Sequence, residues 1–225
     1  MSRLLIVLFC LAGAAVWACL FIWRPYYVPG GSMKPTLHVS DYIFSNKLAY
    51  GADGSGLTRG DVVVYRHPGN GLVFLGRVVG LPQEQVQLIG GQVHLNGVPF
   101  EAKKAEPFTE PATRDVYGNF PRCSNKPAPG ETCLKESWQE ITPEGRAYTV
   151  LDIEPAAQLD NTAPFEVPLD HLFVLGDNRD NSVDSRIPLT QGGVGFVPFG
   201  NLIGRVDLVA FSLDLKPGRM LKRVQ

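Results

Sequence analysis

Beyond its first two dozen residues the chain is written in short runs. Tyr42-Ile43-Phe44, Asp61 to Tyr65, Leu72 to Val79, Val86 to Ile89, Val93 to Leu95, Tyr148 to Ile153, Leu172 to Leu175 and Leu202 to Leu213 are apolar or alternating, and Gly, Pro, Asn or Asp punctuates them. Such patterning predicts strands, and neither a helical repeat nor a low-complexity tract interrupts it. Gly90-Gly91, between two alternating runs, supplies the positive φ angles of a tight hairpin, and Asn96-Gly97 offers a second turn just after it. A mostly β domain is expected. Residues 99–169 are richer in Pro, Glu and Lys than their flanks. They read as an inserted, loop-rich β subdomain carried by a core made of residues 26–98 and 170–215, with a basic tail over 216–225.

The leading segment follows another rule. After a short tail, residues 1–3, the stretch 4–23 contains no charged residue, Pro or Asn. About 20 apolar residues in a helix span the ~30 Å hydrocarbon core of a bilayer. A cleaved signal peptide has a shorter apolar region and small residues before the cut; Val16-Trp17-Ala18 is a poor version of that site and the apolar run continues past it. One uncleaved transmembrane helix is therefore expected. Arg3 and Arg24 flank it on opposite sides, so charge alone leaves its orientation nearly balanced.

Composition narrows the partners. With 21 Lys and Arg against 22 Asp and Glu, and no basic block, the chain lacks the electrostatic footprint of a nucleic-acid binder. Cys10 and Cys19 fall inside the apolar span, whereas Cys123 and Cys133 lie close together in a Pro- and Gly-rich loop. That pair reads as a disulfide in an oxidising compartment, with free thiols or half of a zinc site as the alternatives. No second Cys/His pair stands at ligand spacing, which favours the disulfide and leaves no metal or cofactor expected.

The candidate chemistry begins at Pro29-Gly30-Gly31-Ser32-Met33-Lys34-Pro35-Thr36-Leu37, within ten residues of the predicted membrane exit. A serine after two glycines lets a carbonyl approach the backbone closely, with the hydroxyl exposed and local N–H groups free to hold an oxyanion. Alone, the motif would be a turn. It is followed in order by Arg59-Gly60-Asp61-Val62-Val63-Val64-Tyr65, by Arg77-Val78-Val79-Gly80-Leu81-Pro82, and by the long polar run from Gly176-Asp177-Asn178-Arg179 to Asp184-Ser185-Arg186.

These four segments resemble the ordered sequence boxes of bacterial type I signal peptidases, and with the anchor they cover most of the chain outside the insertion. The resemblance implies a signal-peptidase-type antiparallel β-sheet domain on the periplasmic side of the inner membrane, removing signal peptides from exported preproteins. It implies Ser32 as nucleophile, with the Ser32 backbone and Gly30 at the oxyanion. Ser182 would stand beside the family's general-base lysine, Asp184 and Arg186 would pair behind it, and Asp177 and Arg179 would shape the turn. Tyr26, Val28, Pro29, Met33, Ile43 and Leu75 match positions lining shallow apolar pockets for small residues before the cut.

One position departs. Family members carry aromatic, aliphatic, Lys, Arg before the Val-Gly-Leu-Pro run, whereas here the line is Phe74-Leu75-Gly76-Arg77, so Gly76 stands where the desolvated lysine base belongs. Arg77 cannot be deprotonated. None of His38, His67, His94 and His171 falls in the third box, and Lys34 reads as a solvated residue near the membrane. Three readings follow: a working peptidase with an unrecognised base, a catalytically impaired paralogue that still binds signal peptides or a partner, or a dedicated peptidase for a pilin or conjugation protein. In each, Gly76 is expected to leave open the space that a lysine would fill. A cytoplasmic autoproteolytic repressor of the same Ser-Lys fold group is disfavoured by the anchor and the lack of a DNA-binding helix pair.

Overall fold

The computed structural model describes residues 21–213 and 218–224, with 5, 7–10 and 13 from the apolar leader. The described strands are, in chain order, β1 (Trp23–Tyr27), β2 (Asp41–Asn46), β3 (Val62–Arg66), β4 (Val73–Gly80), β5 (Gln85–Ile89), β6 (Gln92–Leu95), β7 (Val98–Pro99), β8 (Glu101–Lys104), β9 (Phe108–Pro111), β10 (Thr132–Ile141), β11 (Ala147–Asp152), β12 (Phe165–Glu166), β13 (His171–Leu175), β14 (Val197–Pro198), β15 (Leu202–Ser212) and β16 (Lys222–Arg223). Every run predicted from alternation is present, displaced by no more than two residues at either end. Both predicted turns close hairpins, with Ile89 opposite Gln92 and Leu95 opposite Val98.

The main sheet is antiparallel in the order β1-β2-β15-β3-β4-β13-β14, and β16 adds to β15. β3 is buried on both faces, and its period of two sorts the interior into two layers. Val62 and Val64 join Ile43, Val206 and Val209 on one side; Val63 and Tyr65 join Val78, Leu172 and Val174 on the other. A smaller sheet, β12-β5-β6-β7, covers the β4 and β13 end through Val86, Leu88, Phe100 and Phe173.

The insertion folds as β11-β10-β8, with β9 on the other half of β10. It is stapled by a Cys123–Cys133 disulfide, Cα to Cα 5.2 Å, as the spacing suggested. β11 also reaches the main body, where the Leu151 N–H donates to the Asp177 carbonyl at 2.7 Å.

Most of the predicted anchor, residues 4–23, lies outside the described residues, and among those described no helix is long and apolar enough to cross a membrane. Its expected end is corrected. Trp23 already belongs to β1 and pairs with Asn46, and the Lys47 N–H binds the Ile22 carbonyl at 2.9 Å, so the strand ladder captures the chain before the apolar run ends.

Candidate active site

The chain leaves β1 at Val28, whose N–H bonds the Asp41 carbonyl at 2.9 Å, and turns through residues 29–37. Met33 and Leu37 are fully buried and joined by a Leu37 N–H to Met33 carbonyl bond of 2.8 Å, while Pro29 and Gly30 stay exposed. Ser32 therefore sits on a lip, between an anchored apolar turn and solvent. Its carbonyl is held from one side by the Asn178 N–H at 2.9 Å and approached by the Ser182 hydroxyl at 3.1 Å. The Asn178 side chain donates to the Gly31 carbonyl at 2.9 Å. Among the described residues the Ser32 N–H donates to no backbone carbonyl, so it remains available to an oxyanion.

The clamp is the fourth sequence segment. β13 ends at Leu175, and a 3-10 turn over Arg179–Asn181 delivers Ser182, whose hydroxyl also lies 2.8 Å from the Asn178 carbonyl. Behind it Asp184 receives both prongs of Arg186 at 2.8 Å, as the resemblance implied, and accepts the Gly176 N–H at 3.2 Å. Gly176 has no room for a side chain: a Cβ there would stand 1.7 Å from the Ser182 hydroxyl and 2.8 Å from the Ser32 carbonyl oxygen. The lack of a side chain at 176 lets this segment close on the serine loop.

Asp177 and Arg179 do more than shape the turn. Asp177 takes two bonds of 2.7 Å from Arg77 and one of 2.5 Å from the Thr36 hydroxyl, so it joins the first, third and fourth segments. Arg77 also donates to the Gly60 carbonyl at 2.6 Å, which brings in the second segment, and lies over the Tyr148 ring. Burial works against its charge, but Asp177 more than compensates and the guanidinium titrates above its ordinary range. Arg179 binds Glu140 of the insertion at 2.6 Å. The partner of Arg77 stands one hundred positions away, beyond any local pattern.

Gly76 lies on the face of β4 opposite to Leu75 and Arg77, as strand alternation requires. Val78 pairs with Val174 and Arg77 with Leu175, the last pair of that ladder, and Gly76 and Gly176 are the next residues along the two chain segments. Alternation puts Gly76 on the face of Val78 and Val174, while Gly176 stands against Ser182 and the Ser32 carbonyl. The expected open space is absent, however. A Cβ at Gly76 would meet Val174 at 3.2 Å and the edge of the Tyr65 ring at 3.4 Å, so those side chains have closed over the position. The Tyr65 phenol is pushed well up by burial, with the Asp184 charge adding, and stays neutral.

The residues expected to line substrate pockets fall together in one apolar cluster. Val28, Met33 and Ile43 have 1% or less of their surface exposed, and Tyr26 and Leu75 pack partly buried against them. They form the floor beneath exposed Pro29 and the serine lip. Lys34 is not the solvated residue expected: its ammonium meets Glu110 at 2.5 Å, and the same carboxylate binds the fully buried Lys135 at 2.6 Å. Burial pulls Lys135 down from the ordinary lysine range; Glu110 lies below the carboxylate range because both ammonium groups outweigh the cost of its own burial. His67 is occupied in a turn, its Nδ1 accepting the Gly69 N–H at 3.0 Å. Among the described residues no His, Cys, Asp or Glu grouping has metal-ligand geometry.

Comparison with known proteins points to one family. The profile described as signal peptidase, peptidase S26, matches residues 1–211. Signal peptidase I of Rickettsia typhi is 34% identical over 222 residues, covering 87% of this chain and 75% of its own. That of Rickettsia akari is 32% identical over 235 residues, covering 88% and 79%. A solved signal peptidase I from Enterococcus faecalis is 24% identical and covers 67% of this chain and 96% of its own, with a TM-score of 0.36, too low an overlap to bear on the fold.

Proposed function

From a chain that belongs to the signal peptidase family, peptidase S26, we propose a membrane-anchored serine endopeptidase site that recognises the signal peptides of exported preproteins and turns them over slowly for want of a base. In this reading residues 4–23 span the inner membrane and the β domain faces the periplasm. Ser32 attacks the scissile carbonyl from its lip, and the oxyanion that develops is held by the Ser32 N–H beside Gly30. The bond from the hydroxyl oxygen to the carbonyl carbon forms as the serine proton passes to water; the C–N bond then breaks, the amine leaving with a proton from water, and a further water cleaves the Ser32 ester to free the signal peptide's carboxylate and restore the hydroxyl. Each proton step needs a group at the place where Gly76 has none. Lys34 is engaged with Glu110, and Arg77 with Asp177.

The observation that carries the reading is the convergence of Asn178 and Ser182 on the Ser32 carbonyl, with Gly76 the next residue of its strand after the Arg77–Leu175 pair. In this reading the shell of a Ser-Lys site surrounds a position lacking the lysine. A missing general base typically costs about 10²–10⁴ in rate.

The test is cleavage, by the full chain in detergent micelles, of a preprotein carrying an Ala-x-Ala site. Gly76→Lys, with Val174→Ala added to relieve the 3.2 Å contact, is expected to raise cleavage by about 10²–10⁴. Ser32→Ala in that background should remove the gain. Rapid cleavage by the unmodified chain, dependent on Ser32 and indifferent to Gly76→Lys, would place the base elsewhere and end the impaired-turnover reading.

A further inference from the structure

The serine lip stands between an apolar floor and a charged cavity. The floor is Val28 and Met33, at most 1% exposed, with Leu75 partly buried against them. The cavity, of about 570 Å³, is walled on the near side by Pro29, Gly30, Gly31 and Lys34 of the lip and by Asn181 next to Ser182. Its far wall comes from the insertion, and its size lies in the range of about 300–1,000 Å³ usual for small-ligand pockets. In the proposed reading the residues before the cut are small and apolar; a cavity walled by charged side chains does not suit them and is left for the amine side of the peptide.

We propose that this cavity is the subsite for the first residues on the leaving side of the cut, and that it selects acidic ones. The inference rests on Ser32 being the point of attack. Selectivity follows from the charge that lines the wall. Lys34, Lys135, Arg114 and Arg122 face two carboxylates, Glu110 and Asp115. Glu110 is shared by two ammonium groups, and Asp115 is turned to the backbone N–H groups of Tyr117 and Asn119, each at 2.9 Å. Among the described residues Arg114 is capped by the Gly118 carbonyl and the Phe120 ring and meets no carboxylate. Arg122 binds the Asp180 carbonyl and meets Glu154 at 3.5 Å, where both side chains are at least half exposed and the pair is weak. Positive charge is thus left over at the wall. A carboxylate entering the cavity relieves it, and a basic residue adds to it.

The experiment measures binding, so it does not depend on turnover. Three labelled peptides carry the same signal sequence and Ala-x-Ala site: one ends at the cut, one continues with Glu-Glu and one with Gln-Gln. Each is titrated by fluorescence anisotropy against the full chain in detergent micelles. The Glu-Glu peptide is expected to bind more tightly than the Gln-Gln peptide by roughly two- to fivefold for each charge engaged. In Arg114→Gln/Arg122→Gln that ratio should fall towards one. Equal affinity in the unmodified chain overturns the inference, as does a Glu-Glu preference that survives the double substitution. If the peptide ending at the cut also fails to bind, the signal-peptide reading of the site fails and the subsite falls with it. If that peptide binds and no acidic preference follows, only the subsite is lost.

Discussion

Arg77 and Asp177 face each other through two bonds of 2.7 Å, and neither side chain has more than 1% of its surface exposed. A buried pair of this kind is weak evidence of net stabilisation but strong evidence of mutual dependence, because removing one partner strands the other in a low-dielectric interior. Asp177→Asn or Arg77→Met alone should lower stability by about 3–5 kcal/mol. Thermal unfolding in micelles measures it. A shift of under about 1 kcal/mol for both single variants would mean that water or a rearranged neighbour takes the partner's place.

Gly176→Ala tests how the fourth segment closes on the serine loop. The added methyl cannot coexist with the Ser182 hydroxyl at 1.7 Å and the Ser32 carbonyl at 2.8 Å. Displacing that segment should cost about 1–3 kcal/mol and weaken signal-peptide binding more than Gly145→Ala, at a position where the structure offers open space. Gly145 has a positive φ, so this control carries its own backbone strain. Comparable binding in the two variants would separate the clamp from recognition.

Asp152 gives the domain a pH signature. Burial, then the charges of Asp180 and Asp160, push its carboxyl up to about 6, and Oδ1 is buried without a hydrogen-bond partner among the described residues. In the unfolded chain the same group titrates near an ordinary value of about 3.9. Below that value both states hold the proton and the contribution is complete. Between about 4 and 6 the folded state keeps a proton that the unfolded state has released, so stability declines as pH rises and the contribution is gone by neutrality. Asp152→Asn should therefore raise stability at pH 7, by about 1 kcal/mol after allowance for solvent screening, and flatten the profile over that window. Unfolding midpoints at pH 4.5 and 7 decide it; an unchanged difference between them in the variant would assign the slope to another group.

The Cys123–Cys133 bridge closes a segment with a sequence separation of 10, for which chain entropy gives about 3 kcal/mol. The paired Cys123→Ser/Cys133→Ser variant should unfold at lower temperature and be cut by protease first within residues 124–132. Cleavage elsewhere at equal rate would mean that β9 and β10 hold the loop without the bridge.

The alternating strands of the main sheet were legible because their inward faces are apolar on a period of two. β10 was not, although it is one of the longest strands. It is buried at Lys135 and Ser137 on one face and at Glu140 on the other, whose partners are Glu110, the Glu106 carbonyl and Arg179. With buried positions on both faces written in polar residues, alternation is silent, and the pattern makes sense only once those partners are in place. β1 hid behind Pro25 at the sheet edge, where proline is tolerated. At the site, the resemblance pointed to the Asp184–Arg186 pair but not to Arg77 with Asp177 or Asn178 with Ser32. It could not announce that Val174 and Tyr65 close over Gly76, since that depends on how neighbouring strands settle around a missing side chain.

β15 has a consequence for the birth of the protein. This last long strand does not extend the sheet; it slots between β2 and β3, pairing with both. Until it arrives, those two strands present bare facing edges, the kind of exposure that invites mispairing, and their sheet has no centre. Met33 and Leu37, which seat the serine loop, pack in the same cluster as Val206 and Val209. The serine lip, some 170 residues earlier in the chain, therefore has no foundation until residues 202–212 have entered the sheet.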